Sequence, residues 1–303
     1  MVVGPGDDAA VIEPERGTFD VLTTDAQVEG VHFDRRFVPP DAIGHRALAV
    51  NLCVLAAMGA APRVALLSLV LPDALPAPDL DGLLDGLLAL AARHKVALVG
   101  GNITRSPGPL VVDVTVTGTV GRRRILTRGG ARPGDEVWVT GTIGDGLAGL
   151  QSLQAGDLEA GACHEKYLRP EPRVRIGTLL GRNRAATACM DLSDGLADGV
   201  RQVAEASGVG ITLDADALPI REAARRWHEV RGRDAIDASL AGGDDYELLF
   251  TVRPAQRGRL RAVQKRIGDV PINRIGVVTR DRALVVRMSA GERALPSGFE
   301  HFR

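Results

Sequence analysis

The chain has 303 residues, 45% of them hydrophobic and 25% charged, with a formal net charge of −1. That length and apolar content suit one large domain or two ordinary ones with a well-buried core, and the near-zero charge argues against nucleic acid or an anionic membrane as the main partner. Only 3% of residues are aromatic, so the core must be built from Ala, Val, Leu and Ile.

The start, "MVVGPGDDAA", lacks the basic-then-apolar order of a signal peptide. Residues 19–25 ("FDVLTTD") predict a strand ending in polar residues, and 41–59 a helix with Asp41 as N-cap and Gly59 as stop. The longest apolar stretch, 47–62, overlaps it, contains Asn51 and is short for a bilayer, so a buried helix is expected. Residues 63–72 form a β-rich apolar run, 79–96 an amphipathic helix, and 96–102 ("VALVGGN") a strand running into a Gly turn. Residues 110–120 ("LVVDVTVTGTV") alternate with the period of a half-exposed strand. The segment 121–141, Arg- and Gly-rich before it starts a fresh strand, looks like a boundary, giving an N-terminal unit over 1–122 and a C-terminal unit over 123–303. Helices are expected near 144–154, 171–182 and 254–268, a strand and helix over 186–207, and strands near 136–141, 211–214 and 246–252. Residues 221–238 are too charged to place, and the last ~25 residues read as short strands and a tail. Cys53, Cys163 and Cys189 are widely spaced with no CxxC, which suits a reducing cytoplasm and offers no zinc pattern.

Acids recur at strand ends and Gly turns: Asp7 and Asp8 in "GPGDDAAV", Asp25 after Thr23 and Thr24, Asp191 and Asp194 around Ser193 in "MDLSDGL", and Asp244 and Asp245 in "AGGDDYELLF". Singly, each is most often a turn residue or a helix cap. Asp191 is harder to dismiss, because it closes an apolar run where burial penalises a lone charge. Carboxylates with hydroxyls, and no Cys–His cluster, are hard oxygen donors suited to Mg²⁺, which completes its shell with water and substrate phosphates. The Gly pairs at 100–101 and 129–130 offer backbone N–H groups to anions, and Arg128 adds a guanidinium fork. No GxxxxGK[ST] loop, strand-following GxGxxG or G-x-S-x-G elbow is present, which argues against a P-loop protein, a dinucleotide binder or an α/β-hydrolase.

The ordered set "GDDAAVI", "TTDAQVEGVHF", "ALAVNLCVLAAMGA", "VGGNITR", "LTRGGARPGD", "MDLSDGL" and "GGDDYELLF" spans almost the whole chain. It resembles the thiamine-monophosphate kinase family, of the superfamily that also holds aminoimidazole ribonucleotide synthetase and selenophosphate synthetase. The resemblance implies a two-domain fold, α/β then α+β, whose N-terminal sheet pairs across a homodimer. It implies transfer of the γ-phosphoryl of ATP to thiamine monophosphate with Mg²⁺ as cofactor. The alternatives are another ATP-dependent enzyme of that superfamily, or a nucleotide-binding homologue with impaired catalysis.

Carried over residue by residue, the resemblance implies metal ligation by Asp8, Thr23, Thr24, Asp25, Asn102, Asp191 and Asp194. ATP contacts fall to Gly101, Asn102, Arg128 and Ser193, and substrate contacts to His32, Asp244 and Phe299, with Asp25, Asp191 and Arg128 central to catalysis. Three departures stand out: Val54 replaces a family Asp, Asn102 replaces another, and Asp244 replaces a Glu. An aliphatic side chain cannot ligate Mg²⁺, so Val54 should weaken metal binding.

Overall fold

The computed structural model describes residues 2, 9–157 and 160–298; Asp8 and Phe299 lie outside the described residues. In chain order the first half holds β1 (Thr18–Val28), α1 (Pro40–Ala57), β2 (Ala61–Pro72), α2 (Ala77–His94), β3 (Ala97–Ser106) and β4 (Val111–Gly121). Then follow β5 (Glu136–Thr140), α3 (Asp145–Ala155), α4 (Gly161–Leu168), α5 (Val174–Asn183), β6 (Ala188–Asp191), α6 (Leu196–Ser207) and β7 (Gly210–Asp214). The last part contains α7 (Glu222–Glu229), α8 (Ala235–Ala241), β8 (Leu248–Val252), α9 (Arg257–Gln264), β9 (Ile272–Thr279), β10 (Leu284–Met288) and β11 (Gly291–Ala294).

Two sheets result. The first has the order β1-β4-β2-β3, with β2 and β3 parallel and the other pairs antiparallel. The second has the order β11-β10-β7-β9-β5-β8-β6, parallel only between β10 and β7. In β4 the alternation is clean: Val112, Val114 and Val116 face the core, while Asp113, Thr115 and Thr117 face outward. β8 alternates between two cores. Leu248, Phe250 and Val252 join the cluster around α1, and Leu249 joins the one beneath α6.

Helix α1 is buried on nearly all sides, with 15 of its 18 residues enclosed. It lies among the first sheet, α2 and α5, so one apolar cluster runs from Phe33 through Leu48, Leu52 and Leu55 to Phe250 and Val263. Each such fully enclosed Leu contributes about 1.5–3 kcal/mol. Close approach is built in: a Cβ on Gly177 would sit 1.9 Å from the Ala56 carbonyl oxygen, so only glycine lets α5 cross α1 here.

Several local expectations change. Asp41 is not a cap; α1 starts from Pro39 with Pro40 in its first turn, where a missing N–H costs nothing. The Asp41 carboxylate instead accepts from Arg169 Nη2 at 2.5 Å. β1 runs past Asp25 to Val28, because its pairing with β4 continues to Val28↔Val111. "VGGN" is no turn: β3 continues through it, skipping Val99 in a bulge opposite Ala65–Leu66. The charged stretch 221–238 forms α7 and α8, the latter capped by Asp234, which accepts from the Ile236 and Asp237 N–H groups. Helices of seven and eight residues are too short for charge-dominated periodicity to show in sequence. Among the described residues, no helix is long and apolar enough to cross a membrane.

Candidate active site

Acids from both sheets converge where α1 meets β1 and β6. Asp25 sits mid-strand on β1 with its side chain on the inward face, and its pKa is pushed up to about 6. The causes are burial first, then the carboxylates of Asp113 and Asp194. Asp191 ends β6, is 6% exposed, and is likewise pushed up to about 6. Burial dominates there too, against its own backbone N–H and the Arg128 guanidinium, with Asp25 and Asp194 adding repulsion. Residues distant in sequence therefore share one electrostatic neighbourhood. Arg128 is exposed and donates to Gln202 Oε1, whose Nε2 donates to Asp198 Oδ2 at 2.5 Å.

Strand alternation divides the other expected residues. Thr23 shares the inward face with Asp25. Thr24 faces outward, where its hydroxyl donates to Asp113 Oδ1 at 3.0 Å and lies 2.9 Å from the Thr115 hydroxyl. Ala26, Asp113, Ser68 and Asn102 form one cross-strand row, so Asn102 shares the outward face with Thr24 and not the Asp25 side. Gly101 has a packing reason: a Cβ there would lie 1.8 Å from the Leu67 carbonyl oxygen of the neighbouring strand. Val54 is half-buried on α1 beside Cys53, whose thiol is raised by burial and then by Asp191 and Glu247.

The loop from 192 to 195 is tied to the loop before β8. The Leu192 N–H donates to the Glu247 carbonyl at 2.9 Å, the Asp244 N–H to the Ser193 carbonyl at 2.8 Å, and the Tyr246 N–H to the Leu192 carbonyl at 2.9 Å. Ser193 and Asp194 do not cap α6; its N-cap is Gly195, with no side-chain bond. Asp244 and Tyr246 both take positive φ, 66° and 50°, which non-glycine residues hold only when the surroundings fix them. The two adjacent acids have separate duties. Asp245 is fully buried and caps α3, accepting from the Gly144 N–H at 2.7 Å and the Gly146 N–H at 3.0 Å. Asp244 stays partly exposed and accepts from Arg46 Nη2 at 3.0 Å.

His32 lies just beyond β1. The Val28 N–H donates to its Nδ1 at 3.1 Å, so the neutral ring carries its proton on Nε2. The Tyr167 hydroxyl donates to the His32 carbonyl at 3.3 Å. Sequence reading missed Asp113, Arg46, Tyr167 and Gln202. The signals that could have found two of them are the lone acid of the alternating "VVDVTV" run for Asp113 and the single arginine in the apolar-rich α1 for Arg46.

Residues 6–120 match the AIR synthase related protein N-terminal domain, and residues 132–289 the C-terminal domain of the same family. The thiamine-monophosphate kinase of Salmonella typhimurium is 40% identical over 92% of this chain and 84% of its own. That of Bacillus subtilis is 34% identical over 99% of this chain and 94% of its own. The chain belongs to the thiamine-monophosphate kinase family. Among solved structures, the enzyme from Stenotrophomonas maltophilia superposes with a TM-score of 0.85 at 40% identity, covering 94% of this chain and 90% of that one. AaThiL in complex with AMPPCP and TMP superposes at 0.84 with 33% identity, covering 98% and 91%. The hydrogenase maturation protein HypE shares the fold at 20% identity and a TM-score of 0.81.

Proposed function

We propose that the protein transfers the γ-phosphoryl group of ATP to the phosphate of thiamine monophosphate, giving thiamine diphosphate. The observation that carries the reading is the meeting of Asp25, Asp191 and Asp194, from both sheets, beside Arg128 in a chain of this family. Among the described residues, no three His, Cys, Asp or Glu side chains are already close enough to hold an ion. The donor set nevertheless fits Mg²⁺, which keeps water and substrate phosphate in its shell and needs only one or two carboxylates. Asp25 and Asp191 are hard oxygen donors whose burial and mutual repulsion a dication would offset.

Asp25, Asp191 and Asp194 would hold the metal, which when bound supplies charge neutralisation along the triphosphate. Arg128, held by Gln202, contributes a fixed positive fork for phosphate oxygens. The Nε2 proton of His32 is a donor suited to the acceptor phosphate, and the partly exposed Asp244 carboxylate is suited to the cationic thiamine part of the same substrate. No nucleophilic side chain is required, because phosphoryl transfer relies on positioning and charge stabilisation. Leu22 (70% exposed) and Leu66 (45% exposed) share the outward sheet face with Thr24, which supports pairing of that sheet with a second copy in a homodimer. The reaction suits a cytoplasmic setting, in keeping with three free, buried cysteines.

The test is ADP release with thiamine monophosphate across a Mg²⁺ titration. Saturable turnover that requires both is expected; ATP binding without turnover would overturn the reading. Val54→Asp should lower the Mg²⁺ concentration for half-maximal turnover by about tenfold or more, because a carboxylate beside a dication gains several kcal/mol of Coulomb attraction at protein-like dielectric, part of which is lost to desolvation. In metal-free buffer the same variant should melt below wild type, since it puts an unpaired carboxylate at a half-buried position of α1. A thermal melt with and without Mg²⁺ reads both effects.

A further inference from the structure

Arg46 lies on α1 and is 2% exposed, so its charge is fully withdrawn from water. Three contacts hold it. Nη2 donates to Asp244 Oδ1 at 3.0 Å, Nη1 donates to the Tyr167 carbonyl, and the guanidinium carbon stacks 4.3 Å from the Tyr167 ring centroid. Burial is the largest single effect and opposes the charge, but Asp244, Tyr246 and Tyr167 together outweigh it and hold the guanidinium protonated. Nε is buried with no hydrogen-bond partner among the described residues. Stability alone is a weak reason for such an ion, because apolar side chains of similar volume often replace buried ion pairs without loss.

What the arrangement does accomplish is geometric. Tyr167, 1% exposed, donates its hydroxyl to the His32 carbonyl, while Arg46 grips both Tyr167 and Asp244. His32 follows β1 and Asp244 precedes β8, so two groups assigned to the acceptor come from opposite parts of the chain. The guanidinium fork and the Tyr167 ring are the rigid bridge between them. Asp244 is tied in turn to Ser193 through its backbone N–H, which sets the bridge in register with Asp191 and Asp194.

Building on the kinase reading above, we propose that Arg46 and Tyr167 are positioning residues for the phosphoryl acceptor, fixing the separation between His32 and Asp244. The test is steady-state kinetics with each substrate varied in turn, on wild type, Arg46→Met, Arg46→Lys and Tyr167→Phe. Arg46→Met should raise KM for thiamine monophosphate about tenfold or more while KM for ATP stays within about twofold. Tyr167→Phe keeps the stacked ring and deletes one hydroxyl, so it should fold normally and raise the same KM about threefold. Arg46→Lys should fall between wild type and Arg46→Met, because a lysine keeps the charge but not the fork. Equal shifts in both Michaelis constants, or a Tyr167→Phe enzyme identical to wild type, would overturn the inference and leave the kinase reading standing. A wild-type enzyme that does not phosphorylate thiamine monophosphate would remove both.

Discussion

Asp191→Asn is expected to lower turnover by a factor on the order of 10³ while leaving the metal-free protein at least as stable as wild type at pH 8. The two halves have one cause. In the folded protein the Asp191 carboxyl is pushed from 3.8 up to about 6, mainly by burial, which outweighs the help of its own N–H and Arg128, with Asp25 and Asp194 adding smaller repulsion. A shift of that size corresponds to about 3 kcal/mol of work spent holding the charge. Asparagine has nearly the same shape, keeps one oxygen, and does not carry that cost. It also removes a negative donor from the place where Asp191 meets Asp25 and Asp194.

The sign of the pH dependence follows. A carboxyl whose folded pKa lies above its unfolded one binds more protons in the folded state, so its penalty is full above about pH 6 and gone below 3.8. Metal-free wild type should therefore gain on Asp191→Asn as pH falls from 8 to 5, and the variant's lead should shrink. Asp25, pushed up to about 6, moves in the same direction in both proteins, and its rise is smaller in the variant, which lacks the Asp191 charge, so it adds to the variant's lead at pH 8. Denaturant midpoints at pH 8 and pH 5, without Mg²⁺, give the result. A variant clearly less stable at pH 8, or one retaining most of its turnover, would show that Asp191 is an ordinary structural acid. With Mg²⁺ present the order should reverse, because only wild type gains from binding the ion.

The parts of the fold legible in sequence were those whose periodicity matched their burial. The alternation of 110–120 became β4, and most of the apolar run of 47–62 became the C-terminal half of the enclosed α1, its last residues opening β2. Asp191 was legible because a charge closing an apolar run demands a reason. Asp25 was placed at a strand end although β1 continues past it. A strand's end is decided by its partner's register, which lies about ninety residues away and leaves no local mark. The same blindness grouped Thr23, Thr24 and Asp25, although consecutive strand residues point to opposite faces. Asp244 and Asp245 looked alike, yet one meets Arg46 and the other caps α3. Only tertiary packing separates adjacent acids in that way, and the positive φ at Asp244 and Tyr246 that turns them apart is not written in either side chain.

Glu247→Gln is expected to cost about 3–5 kcal/mol of unfolding free energy, whereas Lys166→Met should cost no more than about 2. Glu247 has no exposed surface and accepts from every side. Arg173 forks onto it through Nε and Nη2, both at 2.6 Å; Thr140 Oγ1 donates at 2.5 Å; Lys166 Nζ adds a further contact. Burial pushes its pKa up, but Lys166 and Arg173 outweigh that and hold it below the usual glutamate range. Its stabilisation is therefore present at neutral pH and lost as pH falls through that lowered value. A neutral amide in its place would leave two largely buried cations without their anion and turn an NH₂ group toward donors. Losing Lys166 instead leaves the Arg173 fork intact, and Asp245, already pushed up to about 7, is positioned to take up a proton in compensation. Urea titration followed by two spectroscopic probes distinguishes these outcomes. Equal costs for the two variants would show that the anion is not the keystone of the cluster. Because the Glu247 carbonyl accepts the Leu192 N–H, loss of this corner should also loosen Asp191 and Asp194, so Glu247→Gln should need more Mg²⁺ than Lys166→Met to reach half-maximal turnover.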